Sequence, residues 1–267
     1  MRAYISVIRV RFLNGLQYRA AALAGLSTQF FWGIMLVFLF QALYSGGSNQ
    51  QAMSFQQLVT YIWLQQAFLA LLMLYNWDYE LFEMITTGNI SYELCRPVSL
   101  YGMWYTKLLS IRLSSAALRF SPIILIAFLL PQPYKLGLPA SPTAFLLFLV
   151  TMTLGIILLV AISMLIYISV FVTMSPVGSM ALIGIIGEFF SGMTIPIPFM
   201  PLWLQKVCYI LPFRWTADLP LRIYSGNINT GEAFISIAVQ LVWIFLLTTL
   251  GSFLLKRILN RIVIQGG

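Results

Sequence analysis

Long apolar runs limit what this chain can fold into before any motif does. They lie near residues 20–43, 55–76, 108–130, 143–172, 177–195 and 233–255, each bounded by charged or turn-forming residues. A helix needs about 20 apolar residues to cross a hydrocarbon core of about 30 Å, whereas a strand of a closed barrel needs only about ten alternating ones. Runs of this length are therefore read as helices. Apolar residues fill 60% of the 267 positions and charged residues only 8%, where a soluble domain carries roughly a quarter charged. The expected fold is an all-α polytopic membrane protein, one domain over residues 1–267, with six spans.

The longest polar interruption in the first half runs from Trp77 to Tyr105 and holds four of the seven acidic residues, Asp78, Glu80, Glu83 and Glu93. Asp78 is placed to cap a short helix carrying Glu80 and Glu83, and Gly88 to end it in a left-handed conformation. Asn89 then starts a second short helix that Pro97 closes. A helix pair between two spans is a built surface, and its expected role is to dock a separate motor protein.

Residues 1–19 mix Arg2, Arg9, Arg11 and Arg19 with apolar residues at helical spacing, which suits a helix in the headgroup layer with its arginines toward anionic lipid. The competing reading is a signal peptide, but the apolar run that follows is longer than the usual 7–15 residues of such a segment. Beyond span 5, Pro196, Pro198 and Pro201 stop a straight crossing. Residues 202–211 could cover only about 15 Å, so residues 196–226 are read as an outer, re-entrant region. Asp218 and Arg222 stand four apart there and can pair. With both termini in the cytoplasm, only Lys135, Lys206, Arg214 and Arg222 of the 15 Lys and Arg fall outside. That bias orients the bundle, and it accounts for the net charge of +8 without nucleic acid as a partner.

Polar residues inside the spans are the remaining candidates. Glu188 is the one acid deep in a span, and Arg119 lies at a similar depth on span 3, so an Arg119–Glu188 ion pair is expected, either pinning the two spans or lining a path. Arg112 is expected to snorkel to the cytoplasmic face. Gln65 and Gln66 sit near mid-membrane as glue between helices or as path lining, with Ser191 a further lining candidate. The chain has no histidine and no G-x-x-x-x-G-K-[ST] loop. Neither a nucleophile with its base nor a ligand cluster is legible, so no enzymatic or metal site is expected. Cys95 and Cys208 fall on opposite sides of the membrane in this topology and are not expected to pair.

Gly88, Ile90, Leu94, Pro97 and Ser99 resemble the G-T-L-x-x-x-L-x-x-P-x-S signature of ABC-2 type transporter permeases, with Asn89 in place of the usual small hydroxyl residue. Ser191-Gly192, Pro198, Pro201, Trp203-Leu204-Gln205 and Leu211-Pro212-Phe213 resemble that family's segment after span 5. The likeness extends over all six spans, and the order and separation of the motifs make it more specific than any one alone. It implies the membrane subunit of an ATP-driven exporter in a bacterial inner membrane. Such a subunit pairs with a second permease and two ATP-binding subunits, and these, not this chain, hold ATP and Mg. By the same likeness, Asp78, Glu80, Glu83, Gly88, Ile90, Glu93, Leu94, Arg96 and Pro97 form the ATPase-coupling region. Residues 1–19 become the connecting helix, and the inner turn Met174-Ser175-Pro176 a smaller contact. An ion-coupled secondary carrier is the alternative, but it calls for several intramembrane acids or an inverted repeat, and neither is legible.

Overall fold

The computed structural model describes residues 2–17, 19–46 and 52–261, the side chains of residues 19–22 excepted. The lipid contact expected of Arg19, the turn at Gly47, Ser48 and Asn49, and the tail 262–267 lie outside the described residues. All regular structure among the described residues is helical. The helices are α1 (Arg2–Gly15), α2 (Arg19–Ser45), α3 (Phe55–Ala67), α4 (Leu69–Leu72), α5 (Tyr79–Thr86), α6 (Ser91–Leu94), α7 (Leu100–Ala117) and α8 (Phe120–Leu129). They continue with α9 (Pro142–Thr173), α10 (Pro176–Phe190), α11 (Leu202–Ile210), α12 (Asp218–Tyr224) and α13 (Thr230–Leu259).

α9 is the axis of the bundle. Ser141 caps it through the Ala144 amide, Pro142 presets its first turn, and Met174 ends it in a left-handed conformation at φ 49°. From Leu147 to Val170 its side chains are buried on most sides, as a helix apolar all round must be when it has neighbours to bury against. α13, α12, α10, α7 and α5 all pack on it. At Gly155 the approach is closest: a Cβ there would stand 2.6 Å from the Thr216 carbonyl oxygen. Gln240 of α13 donates to the carbonyls of Thr151 (2.9 Å) and Trp215 (2.7 Å) beside it. Because the obstacle is backbone, it cannot rotate aside. Gly155→Ala is expected to destabilise the protein by about 1–3 kcal/mol, the usual cost of overpacking, read as an earlier thermal transition in detergent.

Among the described residues, four helical segments are long and apolar enough to cross a membrane: Leu23–Ser45, Leu100–Leu129, Pro142–Thr173 and Thr230–Leu259. They coincide with expected spans 1, 3, 4 and 6, although span 3 starts earlier than its apolar run suggests and loosens between α7 and α8. The other two expected spans differ from simple crossings. Span 2 is broken into α3 and the single turn α4, and then runs non-helically from Met73 to Asp78. No proline or glycine lies between Phe68 and Asn76, so the break is imposed by neighbouring elements rather than by the local sequence. Span 5 is α10 alone, 15 residues or about 22 Å, halted by the positive φ of Gly192 and the prolines after it.

The turn between α8 and α9 folds back onto α3. Trp63 donates to the Tyr134 carbonyl at 2.9 Å, Gln56 to the Lys135 carbonyl at 2.8 Å, and the Gly137 amide to Thr60 at 3.0 Å. α1 lies along most of α7, with Tyr4 against Gly102 and Gly15 against Ser114, and it buries none of its residues.

Candidate functional site

The site is built where the backbone after α3 and α4 passes into the polar hairpin. A chain that leaves a helix inside a membrane protein exposes carbonyls and amides that water cannot reach, so other protein groups must satisfy them. Arg112 of α7 meets the carbonyl side, donating to Met73 at 2.6 Å and Leu71 at 3.4 Å, while its other terminal nitrogen donates to Ser163 of α9 at 3.0 Å. Glu188 of α10 meets the amide side, accepting from the Leu74 N–H at 2.5 Å. The cation therefore sits at a helix C-terminus, where the peptide dipoles favour it, and the anion takes the next free amide. Gly184 and Gly187 let α10 press close to Tyr75, Trp77 and Leu74, so this strap is gripped from three helices.

At its lower end the strap is pinned again: the Asp78 amide donates to the Tyr167 hydroxyl of α9 at 2.7 Å, and the Phe82 and Tyr167 rings stack with centroids 4.3 Å apart. The Asp78 carboxylate caps α5 through the Glu80 amide. Gly88 follows α5 with φ 77°, as its position implies, but the second helix of the hairpin is a single turn starting after Ile90 rather than at Asn89.

Only part of the hairpin faces outward. Leu81, Phe82, Ile85 and Ile90 bury its inner face against α7 and α9. Glu93 also points inward, accepting from Lys107 at 2.8 Å and from the Trp104 indole at 2.8 Å. Burial raises the Glu93 carboxyl, but the hydrogen bonds from Lys107 and Trp104 outweigh it, leaving the group below its ordinary value. A depressed carboxyl stabilises the fold above its unfolded pKa of about 4.3, and that contribution is lost as pH falls through the folded value. Trp104 fluorescence is therefore expected to change only below about pH 4, with loosening of the hairpin, and Glu93→Gln is expected to abolish the step. Asp78 moves the other way, because burial raises it more than Arg11 lowers it. Arg11 of α1 donates to Glu80 and approaches Asp78 at 3.9 Å, which turns at least this arginine toward the hairpin rather than toward lipid. The exposed outer rim includes Tyr79, Glu83, Gly88, Tyr92, Leu94, Arg96 and Pro97, with Tyr92 75% and Tyr79 69% exposed and Arg96 also 3.7 Å from Glu93.

The other expected site residues are placed as follows. No Arg119–Glu188 ion pair occurs among the described residues; Arg119 lies against Gly25 of α2, and the cation within electrostatic reach of Glu188 is Arg112. Arg112 does not snorkel, being wholly buried. Gln65 is buried and donates to the Met193 carbonyl just past α10, so it joins helices rather than facing an open path. Gln66 is buried beside Gly33 of α2. Ser191 is buried, with its hydroxyl donating to the Glu188 carbonyl at 2.9 Å. Cys95 and Cys208 are both free thiols, one exposed and one buried.

Sequence reasoning missed a second polar cluster at the far end of the bundle. Asp218 is fully buried between Arg222 at 3.3 Å and Arg214 at 3.8 Å, and the Tyr61 hydroxyl of α3 reaches the Gly192 carbonyl at 3.2 Å and Asp218 at 3.4 Å. The Arg214 guanidinium lies 3.5 Å over the centre of the Tyr209 ring. The four-residue spacing of Asp218 and Arg222 was legible; that Arg214 and Tyr61 close on the same carboxylate was not.

These features define an integral membrane helical bundle in which the segment expected as the second span is interrupted and tied to a polar hairpin. The ABC-2 family transporter protein signature matches residues 30–266, and the chain belongs to that family. Proteins of this family are membrane transport components, in general the membrane subunit of ABC transporters, and normally work with an ATP-binding subunit. No curated protein matches the chain.

Proposed function

We propose that the chain is the permease subunit of an ATP-binding cassette exporter, and that residues 78–97 seat in the ATP-binding subunit. Four of its crossings are the long helices, and α3–α4 and α10 with the non-helical backbone after each complete six. Both termini and the hairpin are cytoplasmic in a bacterial inner membrane, and the working unit pairs two permeases, alike or different, with two ATPases that bind ATP and Mg. The observation that carries this reading is mechanical. The hairpin's rim is exposed while its base is fixed through Asp78–Tyr167, Glu93–Lys107 and Arg11–Glu80. A force applied at Tyr79, Glu83 and Tyr92 therefore reaches the Met73–Asp78 strap, and through Arg112 and Glu188 it reaches α7, α9 and α10. Glu188 is committed to the backbone of the strap, which favours this reading over an ion-coupled carrier that would relay ions through an intramembrane acid.

The test is co-purification with the ATP-hydrolysing subunit. Glu83→Lys and Tyr92→Ala touch only the rim, so the permease is expected to fold as before and to retain the ATPase at least about tenfold less well, the loss of roughly 1.4 kcal/mol of contact. Glu93→Lys is expected instead to disrupt the hairpin itself. Unchanged ATPase retention in the two rim variants would overturn the coupling assignment, and labelling of a Thr87→Cys thiol from outside intact cells would overturn the topology.

A further inference from the structure

We infer that a cavity between α2, α3 and the turn after α8 holds one hydrocarbon chain of a membrane lipid. The cavity measures about 130 Å³ and is lined by Ile34, Val37 and Phe38 of α2, Trp63 of α3, and Leu130 and Tyr134 beyond α8. Two of these side chains carry polar atoms, and both atoms are already engaged. The Trp63 indole N–H donates to the Tyr134 carbonyl, and the Tyr134 hydroxyl donates to Gln41 at 3.1 Å. Only ring faces and aliphatic carbons remain for the cavity. The space opens partly to the surface, so whatever covers that surface can enter it, and its wholly apolar lining gives water no hydrogen-bond partner. Left empty, the lining atoms forfeit dispersion contacts on one side.

The flanks indicate what fills it. Phe38 is 53% exposed on α2 and Leu129 77% exposed at the end of α8, so the surface around the cavity is the apolar surface a bilayer covers. Hydrocarbon is what that solvent supplies in quantity, and the volume suits a stretch of one chain rather than a headgroup. Because α7 starts beside the hairpin and α8 continues away from it, the cavity belongs to the leaflet opposite the hairpin. The inference requires only that the helices cross a bilayer; it stands whether or not the hairpin binds an ATPase.

The test uses the full chain in phosphatidylcholine liposomes containing a phosphatidylcholine with a photoreactive diazirine at mid-chain, the labelled peptides being mapped by mass spectrometry. Label is expected to concentrate on residues 34–38 and 130–134 relative to the exposed α13 segment around Phe245. Val37→Trp fills the space and is expected to lower the cavity label about fivefold or more while the α13 label persists. Ile34→Ala enlarges the space without adding bulk and is expected to retain or raise the label. Even labelling of all lipid-facing helices, persistence of the cavity label in a folded Val37→Trp protein, or its loss in Ile34→Ala would overturn the inference.

Discussion

Arg112→Met is expected to cost about 3–5 kcal/mol of stability, the range for removing one partner of a buried charged network. The size follows from what is left behind. Leu71 and Met73 lose the donor to their carbonyls at the end of α4, and Glu188 keeps the Leu74 amide but loses its nearby cation. Ser163 suffers least, since its hydroxyl already donates to the Leu159 carbonyl at 3.0 Å. Lysine offers a single ammonium where the guanidinium spans two helices, so Arg112→Lys should fall between methionine and wild type. Glu188→Gln added to Arg112→Met is expected to recover part of the loss, because the amide oxygen still accepts from Leu74 while the unmatched charge is gone. Thermal unfolding in detergent of the two singles and the double provides the cycle. A methionine variant as stable as wild type would mean that the strap is not held by this arginine, and the mechanical reading of the hairpin would lose its upper anchor.

The element legible in the sequence was the hairpin, since Asp78, Gly88 and Pro97 act through local backbone chemistry. A cap, a left-handed stop and a missing amide operate whatever the surroundings. The long helices were legible for a similar reason, being set by the length of the apolar run. What the sequence could not give was partnership at depth. Arg112 and Arg119 stand seven residues apart, which is nearly two full turns, so both project from almost one face of a regular helix and either could be matched to Glu188 by counting rise. The break at Leu118 and Arg119 separates them, leaving Arg112 among α4, α9 and α10 and placing Arg119 against α2. Span 2 illustrates the same limit. Its residues are apolar and free of proline and glycine between Phe68 and Asn76, so nothing local marks Met73 as extended; the two charged side chains that make the break tolerable come from residues 112 and 188. The inward turn of Glu93 was hidden too, because its partners, Trp104 and Lys107, lie beyond Pro97 in the next helix.

Asp218→Leu is expected to be the most damaging single change at the far end of the bundle, again about 3–5 kcal/mol, and a comparison with its neighbours shows why. Asp218 answers two cations, so its loss leaves both without a counter-charge, whereas loss of either arginine leaves the carboxylate the other. Arg214 is nearly inaccessible and has no hydrogen-bond partner for its Nε, while Arg222 keeps Asn227 at 2.7 Å. Arg222→Leu should cost more than Arg214→Leu, since Arg222 hydrogen-bonds both Asp218 and Asn227 whereas Arg214 approaches Asp218 only at 3.8 Å, and the double variant Asp218→Leu with Arg214→Leu should be more stable than Asp218→Leu alone, because it removes a buried cation whose Nε has no hydrogen-bond partner. Asp218→Asn keeps an acceptor for Tyr61 and should fall between the two. If the double variant is instead worse than either single by the full sum, the cluster is a set of independent contacts. The outcome bears on transport as well. Tyr61 and Gln65 tie α3 to the turn after α10 at the Gly192 and Met193 carbonyls, beside the cluster. If a substrate leaves past this cluster, weakening Asp218 should raise substrate leak in a sealed vesicle before it unfolds the protein, and Arg112→Met, which acts on the strap after α4, should not.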